Sequence, residues 1–112
     1  MLTKRIAIKR VQDFADQIIA SGLPLKRVVL FGSYSRNGQH SLSDIDVALI
    51  SDRFSGIGFY DTKLFGKTLI KRPFWDIQPR TYNTKDFSPD KDAFVEEILK
   101  TGIEIKIKGL SR

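Results

Sequence analysis

Apolar residues near the start of the chain recur at helical spacing. Between Lys4 and Ser21, Val11, Phe14, Ala15, Ile18 and Ile19 stand at i, i+3, i+4, i+7 and i+8, which predicts an amphipathic helix with one buried face. Gly22 ends it and Pro24 prevents its resumption. Leu25 to Phe31 then contains Val28-Val29-Leu30-Phe31, too continuously apolar for a half-exposed strand, so this strand is expected inside a sheet. After the Gly32-Ser33 turn, Ser33 to Asn37 predicts a short helix broken at Asn37-Gly38, and Gln39 to Ser43 a polar loop. A second strand follows from Asp44 to Ile50, and Ser51 to Gly58 reads as loop. Phe59 to Lys71 has helical spacing at Tyr60, Leu64, Phe65, Thr68 and Leu69, weakened by Gly66. Phe74 to Tyr82 alternates, with Trp75 and Ile77 on one face and Phe74, Asp76, Gln78 and Arg80 on the other; Pro79, which lacks an N–H, puts this third strand at an edge or makes its far end irregular. A last helix is expected from Pro89 or Asp90 to Lys100 on the stripe Phe94, Val95, Ile98, Leu99. Gly102 closes it before Ile103, Ile105 and Ile107 alternate with Glu104, Lys106 and Lys108 as a terminal strand.

This order of elements predicts a single domain of α/β (α+β) class, a mixed sheet of about four strands with helices packed on it. The ten residues between Ser33 and Asp44 are few for a parallel crossover, so the first two strands are expected to be antiparallel neighbours. Ile50 to Phe74 leaves room for a helical crossover, making the second and third strands parallel. Gly32, Ser33, Asp44, Asp46 and Asp76 are then expected at one rim of the sheet.

The chemistry follows from strand alternation. Asp44 and Asp46 share a face while Ile45, Val47 and Leu49 share the other. Two carboxylates this close repel unless a cation lies between them, and a hard ion such as Mg²⁺ takes carboxylate oxygens while keeping positions for water and phosphate. Three carboxylates can hold two such ions about 4 Å apart, one activating an attacking hydroxyl and one clamping a triphosphate. Phosphoryl or nucleotidyl transfer, which depends on positioning and charge neutralisation, is therefore expected. In this arrangement Asp44 and Asp46 bind both ions and Asp76 orients the hydroxyl. Gly32 lets the backbone approach a phosphate, Ser33 offers a hydroxyl and an amide at a helix start, and Arg36, one turn on, reaches the phosphates.

Composition narrows the setting. The 112 residues, 41% hydrophobic and 29% charged, suit a folded globule of one domain. The chain has no cysteine, which removes disulfides, thiolate-held metals and thiol catalysis and suits a reducing cytoplasm. The basic start Met1-Leu2-Thr3-Lys4-Arg5 lacks the apolar run of a signal peptide, and no segment reaches membrane-spanning length. A formal charge of +6 attracts polyanions without choosing among nucleoside triphosphates, nucleic acid and acidic proteins.

Leu30-Phe31-Gly32-Ser33-Tyr34-Ser35-Arg36, then Ser43-Asp44-Ile45-Asp46-Val47-Ala48-Leu49, then Trp75-Asp76-Ile77 resemble the minimal nucleotidyltransferases of the DNA polymerase beta superfamily. That family is marked by Gly-Ser, ten residues, Asp-x-Asp and a third acidic residue on a later strand. Glu97 to Ile105 also looks like its closing helix and strand, so the resemblance covers nearly the whole chain. One departure is Asn37-Gly38, where relatives often carry Gly and then an acidic residue. The resemblance implies the palm-like nucleotidyltransferase fold and a Mg²⁺-dependent enzyme (two ions) moving a nucleoside monophosphate, commonly AMP from ATP, onto a hydroxyl. It further implies an antitoxin that binds and adenylylates a small helical HEPN ribonuclease in a toxin–antitoxin pair; a homo-oligomer is left open.

Plainer readings stand beside these. An Asp-x-Asp alone is commonly a solvated strand end, Asp76 can simply pair with Arg80 or a lysine, and Arg36, Lys67, Lys71 and Arg72 fit an exposed surface. His40, the only histidine, has no evident partner, and Ser43 suits a local hydrogen bond. Two alternatives to an active enzyme therefore remain: a non-catalytic antitoxin acting by occlusion, and a nucleic-acid-binding module resting on charge.

Overall fold

The computed structural model describes residues 3–35 and 44–107. Helix α1, Lys4–Ala20, starts where the Thr3 hydroxyl accepts a hydrogen bond from the Ile6 amide. It buries Ala7, Val11, Phe14, Ala15 and Ile18, the predicted stripe extended one turn toward the N-terminus, while Ile19, also expected in the stripe, is only partly buried against the core. Strands β1 (Arg27–Phe31), β2 (Ile45–Ser51), β3 (Ile77–Asn83) and β4 (Ile103–Glu104) form one sheet in the order β3-β2-β1-β4. β1 pairs antiparallel with β2 and β2 pairs parallel with β3, as expected from the two link lengths, and β1 also pairs antiparallel with β4. Pro79 lies in β3, at the sheet edge.

Each face of the sheet carries its own core. Val28, Leu30, Ile45, Val47, Leu49 and Ile77 point to the α1 side, where Phe14 meets Phe65 and Phe74 at ring separations of 6.1 and 5.2 Å. Each fully buried Val, Ile or Phe here contributes roughly 1.5–3 kcal/mol of transfer energy. Val29, Ala48, Ile50 and Tyr82 face the other way, covered by Val95 and Ile98 of helix α4 (Ala93–Thr101). The cover is partial: on the same face, nearer the start of β2, Asp46 is half-buried and Gln78 and Arg80 are exposed.

Four expectations need correction. The predicted helix over Phe59 to Lys71 is broken into α2 (Gly58–Asp61), a 3₁₀ turn (Thr62–Leu64) and α3 (Gly66–Leu69), because the carboxylate of Asp61 is buried and tied to neighbouring segments, and the chain bends at Phe65-Gly66. The third strand begins at Ile77. Arg72–Phe74 is a 3₁₀ turn, which places Phe74 in the α1-side core with Ile77 and leaves Trp75 63% exposed. α4 begins at Ala93, capped by Asp92, whose carboxylate accepts from the Phe94 amide at 2.9 Å. The terminal strand is only two residues long, although the Ile105 amide still bonds the Val28 carbonyl and Ile105 and Ile107 are buried. Of the predicted helix from Ser33 to Asn37, the structure shows a three-residue 3₁₀ turn, Gly32–Tyr34; Arg36, Asn37, Gly38, His40 and Ser43 lie outside the described residues. No helix among the described residues is long and apolar enough to cross a membrane.

Candidate active site

Where β1 ends, Gly32 adopts φ +77°, a conformation that residues with a Cβ rarely take. Phe31 is the cross-strand partner of Asp46, so the glycine lies against that carboxylate. A Cβ at Gly32 would collide with Asp46 Oδ2 and lie 3.1 Å from its Cγ. The turn is held by Ser35, whose amide and hydroxyl both donate to the Gly32 carbonyl, at 3.2 and 2.8 Å. Ser33 is half-buried within the turn.

Asp44 and Asp76 reach the same rim from neighbouring strands. Ile45 and Ile77 are register partners, and the Ile45 amide donates to the Asp76 carbonyl at 2.8 Å. Both carboxylates also act on one phenol: the Tyr34 hydroxyl is raised above its usual range first by burial, then by the negative charge of Asp76, with Arg10 opposing and Asp44 adding. The expected convergence of Gly32, Ser33, Asp44, Asp46 and Asp76 thus holds for the backbone. At the side chains it is incomplete. Asp76 accepts from Arg10 Nη1 at 3.0 Å, and among the described residues no three acidic or histidine side chains are gathered as they would be around a bound metal. The Asp76 side chain is 46% exposed and that of Arg10 28%, so the pair is largely screened.

Sequence reasoning missed Arg10, Tyr34 and Ser35 as parts of this rim. Nothing in the α1 pattern marks Arg10, since its partner lies 66 positions away. Trp75, next to Asp76, is exposed, as are Phe59 (72%) and Tyr60 (59%). An open cavity of about 610 Å³ lies along the outer edge of β3, between Ser55–Gly58 and Pro79–Asn83, and none of the five rim residues lines it.

A family model described as a nucleotidyltransferase domain matches residues 9–107, a span containing the turn and all three carboxylates. The chain belongs to the nucleotidyltransferase domain family. Two solved structures share the fold of this nucleotidyltransferase domain. A candidate nucleotidyltransferase from Sulfolobus solfataricus superposes with a TM-score of 0.62 at 14% identity, covering 90% of this chain and 80% of the other. A toxin–antitoxin structure with AMP-PNP superposes with a TM-score of 0.58 at 20% identity, covering 87% and 73%. No curated protein matches the chain.

In this nucleotidyltransferase domain Gly32→Ala combines a disfavoured backbone conformation with a clash against Asp46. The substitution is expected to cost about 1–2 kcal/mol of stability and to weaken binding of a nucleoside triphosphate by about tenfold or more, because Asp46 must move. Urea denaturation and calorimetric titration with ATP check the two effects. Unchanged affinity would show that the rim does not hold the nucleotide.

Proposed function

We propose that this domain transfers a nucleoside monophosphate, AMP from ATP, onto a hydroxyl of a second molecule. The reading is carried by the contact of Gly32 with the Asp46 carboxylate at the rim that also holds Asp44 and Asp76. The donors present fit magnesium: they are hard carboxylate oxygens, and Asp44 and Asp76 are open to solvent. Among the described residues Asp76 is held by a screened pair with Arg10, worth about 1 kcal/mol or less, which a divalent cation can displace. Asp44 and Asp46 would hold two magnesium ions, with Asp76 beside them. Bound magnesium would supply charge that offsets the triphosphate and the departing pyrophosphate.

The protein's own groups supply the rest. Asp76 orients the acceptor hydroxyl and takes its proton as the hydroxyl oxygen bonds to the α-phosphorus. The bond from that phosphorus to the oxygen of the β-phosphate breaks, and pyrophosphate leaves. Gly32 admits a phosphate close to the backbone, and Ser33 and Arg36 bind the phosphates. The similarity to a toxin–antitoxin structure with AMP-PNP supports ATP as donor and a toxin as acceptor; a HEPN-type ribonuclease, implied by the sequence resemblance, fits that role. Exposed Phe59, Tyr60 and Trp75 offer it apolar contact.

The test is incubation with ATP labelled at the α-phosphate, Mg²⁺ and a HEPN-type partner. Label is expected on the partner and none when the metal is chelated. Absence of label with metal present would overturn the proposal. The Arg10–Asp76 pair favours a second reading, an antitoxin that binds its partner without chemistry.

A further inference from the structure

Beside Asp46, on the α4 face, stands a row of side chains to which the transfer reaction assigns no task. Phe31, the cross-strand partner of Asp46, meets Phe94 edge-on at 5.7 Å. The Arg80 guanidinium lies over the Phe94 ring, 4.8 Å from its centre, and Arg80 Nε donates to the Tyr82 hydroxyl at 2.8 Å. Arg80 pairs with Ala48, two residues beyond Asp46 on the same face, or about 7 Å along the strand. The row therefore begins at the carboxylates and runs away from them across the sheet.

Packing alone does not account for it. Val95 and Ile98 fill the core under α4, whereas Phe94 stays 39% exposed. Arg80 is exposed and, among the described residues, makes no ion pair; its guanidinium is held against two aromatic rings instead. Arg80 also lines the cavity of about 610 Å³ at the β3 edge, a volume within the roughly 300–1,000 Å³ of small-molecule sites. A planar cation stacked on an aromatic ring, beside free volume and a short distance from phosphate-binding chemistry, suits a flat heterocycle.

We infer that Phe94 and Arg80 form the platform on which the base of the bound nucleoside triphosphate stacks. The inference rests on the proposed nucleotidyl transfer and deepens it. With the phosphates at Gly32 and the carboxylates, the ribose spans the Phe31 region and the base extends the Phe94–Arg80 stack. Stacking engages the π-face of a base and leaves its hydrogen-bonding edge unread, so this contact supplies affinity and orientation and discriminates little among bases.

Calorimetric titrations in Mg²⁺ without acceptor, using ATP and inorganic tripolyphosphate, separate base from phosphates. The unaltered protein is expected to bind ATP about tenfold or more tightly than tripolyphosphate. Phe94→Leu, which keeps apolar bulk but no ring, and Arg80→Gln, at an exposed position, should each lose most of that margin while tripolyphosphate binding stays unchanged. Phe94→Tyr should retain it, and in the complex the Phe94 ring protons should show nuclear Overhauser contacts to the adenine protons. Equal binding of both ligands by the unaltered protein, or ATP affinity unchanged in both Phe94→Leu and Arg80→Gln, would overturn the platform and leave nucleotidyl transfer standing. Binding of neither ligand would overturn both.

Discussion

Asparagine at both Asp44 and Asp46 is expected to lower nucleotidyl transfer by on the order of 10³-fold or more with little change in thermal stability. The amide preserves the shape of the side chain, and the residues that anchor this part of β2 in the core, Ile45 and Val47, are untouched. What is lost is negative charge at the rim, which any cation bridging the carboxylates and a triphosphate needs. The rate constant is read from incorporation of α-labelled phosphate and the fold from the melting temperature. A partner-neutralisation assay run in parallel separates the two readings of the site. Loss of both labelling and neutralisation marks catalysis as the means of action. Neutralisation that survives without labelling marks occlusion, in which the carboxylates are present but idle. Transfer that persists in the double variant would place the chemistry elsewhere.

The rim was legible because it depends on local quantities. Alternation along Asp44 to Ile50 fixes which residues share a face, and the short link before Asp44 and the long one after Ile50 fix the directions of the neighbouring strands. Those two facts bring Gly32, Asp44, Asp46 and Asp76 to one end of the sheet before any side chain is placed. The long-range partners were not legible. Arg10 reaches Asp76 across 66 positions, and Arg80 lies on Phe94 from a different element; nothing in either residue's neighbourhood announces its partner. Local pattern also misled where a turn replaced a strand. Phe74, Trp75 and Ile77 can be read as alternating, but in a 3₁₀ turn followed by a strand Phe74 and Ile77 turn inward together and Trp75 faces out. The break in the helix predicted over Phe59 to Lys71 has the same origin, since Asp61 looks like a solvated helical residue until the segments that donate to it are known.

Asp61 therefore supports the other large prediction. Its side chain is buried, with Oδ1 accepting from the Ser55 amide at 2.8 Å and the Ser55 hydroxyl at 3.0 Å, and Oδ2 accepting from the Gly56 amide at 2.8 Å and the Thr81 hydroxyl at 2.7 Å. This carboxylate ties the loop before α2 to its end and ties both to the edge strand β3. Asp61→Ala leaves those donors without their acceptor and is expected to cost about 3 kcal/mol, lowering the melting temperature by on the order of 10 °C. Asp61→Asn should cost most of that, because its NH₂ group would face either the Gly56 or the Ser55 amide, donor against donor. Burial, the largest single influence, pushes the Asp61 carboxyl up, but the four hydrogen bonds together hold it below the ordinary carboxylate value. Between the folded and unfolded values the unfolded chain binds the extra proton, so stability rises with pH in that window. The contribution of Asp61 is complete above the ordinary value, about 4, and is lost as pH falls through the lower, folded value. In urea titrations the gap between the unaltered protein and Asp61→Ala should be constant from neutral pH down to about pH 5 and narrow below about pH 4. A gap that does not narrow in acid would mean that the charge on Asp61 contributes nothing to holding α2 against β3.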